Sequence, residues 1–427
     1  MHIADMHITP VATSDPPLLN AAGLHAPYAL RLIVELVSNE GIYGLGEIPG
    51  GVESEAALIS AREVVVGRDP FQLTTLESTL RSHLGIGEEQ RGDSPWDDRV
   101  FMHVLSAVEV ASLDLLGKAL DRPVCDLLGG RVRDQVPFSA YLFYKYEGAG
   151  GAHGFETDPR ATGWAAARQA AALDPAGVVA QAQAMCAHYG FKSIKLKGGV
   201  FEPDAEVAAM QALHEAFGPK VPLRHDPNAI WRVETAIRAG KEMENILEYF
   251  EDPTRGQENM AAVARALDLP LATNMCTTSF ADLPGSLRLN SEAIILSDHH
   301  LWGGLRNSLA LARICQTFGR GLSMHSNSHL GISLAAMVHL GAAVPNLTYA
   351  CDTHYPWQYE EVLEGGRIGF EEGAVTVSDE PGLGIALDRA ALARLHEQYL
   401  ACGLERRDDE IEMQKVNPGW TFRATRW

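Results

Sequence analysis

Lys195 and Lys197, in SIKLKGG (193–199), end the first of six short apolar runs that each finish in polar side chains. The others are PLRHDPN (222–228), LEYFEDP (247–253), LATNM (271–275), AIILSDHH (293–300) and GLSMHSNSH (321–329). In a strand alternate side chains share a face, so both ammonium groups point one way and Leu196 the other. Lysines at a strand end are often simply solvated. Here Gly198 and Gly199 follow and let another group approach closely. A desolvated lysine beside a second cation has a lowered pKa, which suits a general base.

Asp226, Glu251 and Asn274 end the next three runs. Two carboxylates and an amide, with positions left open, suit a hard cation such as Mg²⁺. Taken singly, each carboxylate fits a turn before Pro227 or Pro253. Three oxygen donors at consecutive strand ends favour a shared ion. Glu258 in QEN is the alternative to Glu251, ranked second because it lies past the strand end. Asp298 and His325 end the last two runs, and a carboxylate beside an imidazole fixes the tautomer and raises its basicity. His299 and His300 read as supporting residues. A metal with a lysine on one side and a His–Asp pair on the other points to proton removal next to a carboxylate. The metal stabilises the enediolate, and opposed bases reach either stereochemistry.

Six such tails in series require parallel strands that deliver them to one face. VPFSAYLFY (136–144) reads as a preceding strand, and helical spacing recurs at 204–217, 233–244, 307–318 and 331–343. Alternating strand and helix implies a parallel sheet with crossover helices. A doubly wound sheet is open, but seven or eight units favour a closed barrel. Residues 1–60 read as antiparallel strands with a hairpin, LRLIVELVS-NEG-IYGLGEI, and 100–120 as a helix. The expectation is an α/β protein, a modified TIM (β/α) barrel over 135–354 behind an N-terminal α+β capping domain over 1–134. Residues 355–427 would complete the barrel and pack on the capping domain. The glycine-rich stretch 148–163 reads equally as a lid or as an unordered connection.

With 427 residues the chain can build a large core, and its net charge of −20 argues against nucleic acid as partner. No apolar run approaches the length needed to cross a bilayer, by this reading, and the N-terminus lacks a secretory pattern. Six scattered cysteines without a C-x-x-C pair suggest reduced thiols and a cytoplasmic location.

These residues resemble the glucarate dehydratase family, in the mandelate racemase branch of the enolase superfamily. The resemblance spans nearly the whole chain: GLHAPY (23–28), GEIPGG (46–51), YLF (141–143), KLKGGV (195–200), DPNAIW (226–231), ATNM (272–275), HSNSH (325–329), DTHYPWQ (352–358) and PGWTF (418–422). It implies Mg²⁺ on Asp226, Glu251 and Asn274. Lys197 and the His325–Asp298 pair would be opposed bases, and Lys195 would neutralise the substrate carboxylate. Substrate contacts would be His25, Tyr141, Phe143, Asn228, Asn327, His354 and Arg407. The implied reaction is dehydration of D-glucarate to 5-keto-4-deoxy-D-glucarate. The alternatives are a dehydratase or epimerase of another acid sugar, or a catalytically silent relative. The family is commonly homo-oligomeric, and the partner expected is a small acid sugar, with no nucleic acid and no membrane. Two positions depart from the pattern: Phe101 stands where the family has a threonine two residues before His103, which would remove a substrate contact, and His225 replaces an apolar residue.

Overall fold

The computed structural model describes residues 1–427. The chain opens with β1 (Ile3–Ser14), β2 (Leu19–Asn20), β3 (Gly23–Leu24), β4 (Tyr28–Ser38) and β5 (Tyr43–Pro49). β1, β4 and β5 form an antiparallel sheet with β4 in the middle. Alternation along LRLIVELV sets its two faces. Leu32, Val34 and Leu36 pack on α1 (Val52–Val65), α2 (Leu73–Leu84) and α3 (Val100–Leu120), while Ile33, Val11 and Leu45 join the larger core shared with the rest of the molecule. Residues 52–60, expected as strand, begin α1 instead, because Ser54, Leu58, Ala61 and Val65 fall on one buried helical face.

The backbones of α3 and β5 are in close contact. A Cβ at Gly44 or Gly46 would collide with the carbonyl of Ala111 or Ala107, so only glycine lets the helix sit this low. Contrary to the sequence expectation, α3 is long and apolar enough to cross a membrane by length and composition. Its side chains are instead buried between the sheet and the core beyond, apart from its ends.

After the short α4 (Val124–Leu127), eight parallel strands follow: β6 (Gln135–Phe143), β7 (Ile194–Lys197), β8 (Leu223–Asp226), β9 (Leu247–Glu251), β10 (Leu271–Thr273), β11 (Ile294–Ser297), β12 (Gly321–Met324) and β13 (Cys351–Asp352). Each pairs with its sequence neighbour from β6 to β12, and β13 returns to β6. The backbone N–H of Tyr349 donates to the Leu322 carbonyl, which draws β12 towards β13 and nearly closes the barrel. Between the strands run α5 (Gly163–Ala167), α6 (Pro175–Tyr189), α7 (Pro203–Phe217), α8 (Val233–Met243), α9 (Gln257–Ala266), α10 (Leu283–Leu289), α11 (Leu305–Thr317) and α12 (Gly331–Ala343). α6 shows why such helices start and stop where they do: the Asp174 carboxylate accepts the Gly177 N–H at 2.8 Å, Pro175 fills the first turn, and Gly190 at φ +73° ends it.

The 148–163 stretch is a folded turn docked on the capping domain rather than an unordered connection. Gly151 N–H donates to the Pro27 carbonyl at 2.7 Å, and Gly150 N–H to Gly154 at 2.9 Å. Beyond the barrel, β14 (Ala374–Thr376) pairs antiparallel with the start of β6. α13 (Arg389–Cys402) lies on β1, where Gln398 donates to the Ala12 carbonyl at 2.9 Å, and α14 (Asp409–Val416) lies on β3. Near the end of the chain, Arg426 Nη2 donates to the carbonyls of Ala21 at 2.7 Å and Gly199 at 2.9 Å. That guanidinium joins the capping domain to the loop after Lys197.

Candidate active site

Strand alternation turns Lys195 and Lys197 into the barrel, paired in register with Tyr141 and Phe143 of β6. Lys195 Nζ lies 2.6 Å from Glu251, 2.7 Å from Asp352 and 3.6 Å from Asp226; Lys197 Nζ lies 2.6 Å from Asp226. Two ammonium groups therefore face three carboxylates, and the buried Arg224 guanidinium stands 3.8 Å from the other oxygen of Asp352. Neither lysine has the lowered pKa that their adjacency suggests. Burial works against the charge on Lys195, but Asp352 and Glu251 outweigh it and hold the ammonium well above its usual value. Lys197 is raised likewise, burial again being overcome, here by Asp226. Asp226 is held below the normal carboxylate range by Lys197 and Lys195 against its burial. Glu251 is pushed up by burial and by its neighbours Asp226 and Asp352, despite Lys195.

The loops after β8 and β9 are strained where they present these groups. Asn228, Ala229 and Asp252 have φ of +57°, +58° and +36°, a region L-residues rarely occupy outside functional sites. Asp226 Oδ1 accepts the Asn228 N–H at 2.9 Å, and Ala229 N–H donates to the Asp252 carbonyl at 2.7 Å. The Asp252 side chain turns away from the lysines to accept the Thr273 hydroxyl and, at 2.9 Å, the Asn274 N–H. That leaves Glu251 as the carboxylate of EDP on the lysine cluster, and sets Asn274 with its Oδ1 buried and without a partner. Asn228 Oδ1 is also buried and unpartnered. Glu258, the alternative to Glu251, lies in the first turn of α9 with its side chain exposed.

Buried carboxylates beside an orphaned amide oxygen fit a divalent cation, with Asp226, Glu251 and Asn274 as the hard oxygen set. His325 Nδ1 lies 3.0 Å from Asp298 Oδ2, which places the proton on Nδ1 and leaves Nε2 free. Burial lowers the His325 pKa, with Asp298 opposing. Asp298, despite its burial, is held well below its usual value by His300 and His325.

Apart from Asn228, beside Asp226, the expected substrate contacts fall into two groups. His25, Tyr141, Phe143 and His354 form one aromatic cluster, with Phe143 centroids 4.8 Å from Tyr141, 5.1 Å from His354 and 5.8 Å from His25. Lys195 Nζ sits 4.8 Å over the Tyr141 ring, which ties this cluster to the charged one. The Asp15 carboxylate accepts from His25 Nδ1 at 2.9 Å, leaving His25 Nε2 and both His354 nitrogens buried and unpartnered. Asn327 and Arg407 line a cavity of 530 Å³ on the capping side, together with Trp96 and His103. Its lining is acidic, with Asp15, Glu53, Asp97, Asp98, Asp408, Asp409 and Glu410 against Arg31, Arg406 and Arg407. Arg407 is paired with Asp409 at 2.7 Å and stacked over Trp96 at 3.1 Å.

Phe101 does not reach this cavity. It is buried in the capping core with the Arg81 guanidinium 4.0 Å over its ring, so its departure from the family pattern leaves the cavity lining to Val100 and His103. His225 points to the helix side, where it meets Glu206 at 3.0 Å. The sequence reading passed over Asp352, Asp15 and Trp96. Asp352 alone had a legible signal, a carboxylate just after the apolar run YAC; Asp15 and Trp96 had none.

Comparison with known proteins adds to this geometry. Residues 5–129 match the family described as mandelate racemase / muconate lactonizing enzyme, N-terminal domain, and residues 177–391 match the enolase C-terminal domain-like family. A probable glucarate dehydratase of Streptomyces coelicolor is 48% identical over 100% of this chain and 99% of its own length. An enolase of Mycobacterium smegmatis solved with tartrate superposes with a TM-score of 0.91 at 50% identity, covering 100% of this chain and 98% of its own. An enolase of Pseudomonas fluorescens solved with magnesium, potassium and tartrate gives 0.91 at 46%, covering 99% and 98%.

Proposed function

The chain belongs to the mandelate racemase / muconate lactonizing enzyme family of the enolase superfamily, and from that premise we propose that this acid-sugar dehydratase acts on D-glucarate. The observation that carries the reading is that one barrel holds both a buried lysine pair on β7 and, directly after β12, a buried histidine whose Nδ1 is engaged by Asp298. The relative named as a probable glucarate dehydratase supports the choice of sugar, and the tartrate held by two similar enolases supports a hydroxy diacid.

Asp226, Glu251 and Asn274 would hold Mg²⁺, a reading supported by the orphaned Asn274 oxygen and by the magnesium in a 46% identical enolase. The ion would supply the positive charge that stabilises the substrate carboxylate as electrons move onto it. His325 Nε2 takes the C5 proton and gives it to the departing C4 hydroxyl, which leaves as water, and the resulting enol takes up a proton at C4 to become the 5-keto-4-deoxy diacid. Lys197 would serve the opposite-face proton of the C5 epimer, a role that requires it to shed the proton that Asp226 holds on it. Lys195, fully buried, locks Glu251 and Asp352 in place and adds positive charge beside Tyr141. His25 and His354 offer unpaired nitrogens to sugar hydroxyls, and Arg407, whose Nε and Nη2 are held by Asp409, would meet the distal carboxylate through its remaining N–H groups.

His325→Asn should abolish turnover of glucarate while magnesium titration and circular dichroism stay unchanged. Undiminished turnover in that variant assigns the base elsewhere. A screen of diacid and monoacid sugars tests the substrate, and preference for another acid sugar overturns D-glucarate.

A further inference from the structure

His300 lies two residues after Asp298, beside the His325 pair. Asp298 Oδ1 receives the His300 backbone N–H at 2.9 Å and faces His300 Nδ1 at 3.0 Å, while its Oδ2 holds His325 Nδ1 at 3.0 Å. One carboxylate is thus gripped by two imidazoles, one on each oxygen, and cannot turn about its own axis. On the far side, His300 Nε2 meets Ser333 Oγ at 2.9 Å and Arg31 Nη2 at 3.5 Å. Arg31 has only N–H groups to offer. His300 Nε2 must therefore present a lone pair, and the ring proton sits on Nδ1, aimed at Asp298.

Both partners of His300 Nε2 are organised by one capping-domain side chain. Glu47 accepts Arg31 Nε at 2.7 Å, Ser333 N–H at 2.9 Å and Leu330 N–H at 2.7 Å. Arg31, Glu47, Asp298, His300 and Ser333 are all buried. Glu47 and Arg31 come from β5 and β4, and Ser333 from the first turn of α12.

We propose that His300 is a positioning residue for the His325–Asp298 pair, and that Glu47 and Arg31 of the capping domain set its tautomer. Docking of the capping domain then orients the base on the barrel wall. This rests on the reading of His325 as the proton-abstracting group. A purely structural role would weaken chemistry on both faces of the substrate alike. A positioning role acts on the His325 face alone.

The test compares the magnesium-loaded wild type with His300→Leu and His300→Asn. Deuterium exchange next to the carboxylate is followed in D₂O for glucarate and for its C5 epimer, and nitrogen NMR reads the His325 tautomer without substrate. His300→Leu should lose exchange on the His325 face by about 10–100-fold, keep Lys197-face exchange, and show a mixed His325 tautomer. His300→Asn, whose amide N–H can replace Nδ1–H, should restore most of both. Equal loss on both faces, or an unchanged His325 tautomer in the folded Leu variant, overturns the inference. Absent exchange in the wild type overturns the proposed reaction instead, and a tautomer change in His300→Leu would still support the positioning role.

Discussion

Asn274 carries a buried carbonyl oxygen that no protein donor satisfies, a costly state for a side chain amide unless something else pairs with it. A ligand role predicts that Asn274→Leu weakens Mg²⁺ binding about tenfold or more, read by titration calorimetry; unchanged affinity removes this residue from the metal set. Phe101 is the opposite case. It breaks the family pattern at a position that looked substrate-facing, yet its ring is enclosed by the capping core and Arg81. Phe101→Thr should lower stability by about 3 kcal/mol through the cavity it leaves, measured by urea unfolding, and leave KM for the sugar unchanged. A shifted KM at unchanged stability would return this position to the binding site. Such facing cannot be read at a helix start, where the period alone does not say which side meets the pocket.

Among the elements, α11 starts on a carboxylate from another domain. Glu109 of α3 accepts the N–H groups of Leu305 and Arg306 at 3.0 Å each. Burial raises its pKa from 4.5 to about 7 in spite of those bonds. A carboxyl with a raised folded pKa stabilises most below its unfolded value, and this contribution fades as pH climbs through the folded one. The full swing is roughly 3 kcal/mol. Glu109→Gln keeps an acceptor oxygen but cannot ionise, so its unfolding free energy should fall less between about pH 5 and about pH 8 than that of the wild type. Parallel curves for the two proteins would refute the raised pKa. The strands that carry the site were legible because each is apolar and then ends in a charge, as LEYFED and AIILSD show. α6 was not, since AGVVAQAQAM offers little contrast between its faces, and β13 has only two residues. Asp352, the third carboxylate on Lys195, ends that two-residue strand, so the short run YAC was its only signal.

At the scale of the whole molecule, the barrel and its cap follow from alternation of strand and helix, but their joining does not. Arg426 on Ala21 and Gly199, Glu47 on α12, and Glu109 on α11 are contacts between segments far apart in the chain, and no local pattern announces them. The acidic lining of the 530 Å³ cavity has a consequence for traffic rather than chemistry. For the proposed diacid entering by this cavity, that lining and a net charge of −20 oppose the approach at long range. Salt shortens the reach of the repulsion to about 8 Å at physiological strength and leaves the buried contacts largely unscreened. Stopped-flow capture of glucarate should therefore quicken as potassium chloride is added, the reverse of electrostatic steering. A capture rate that slows with salt would mean that the interior cations already command the approach from outside.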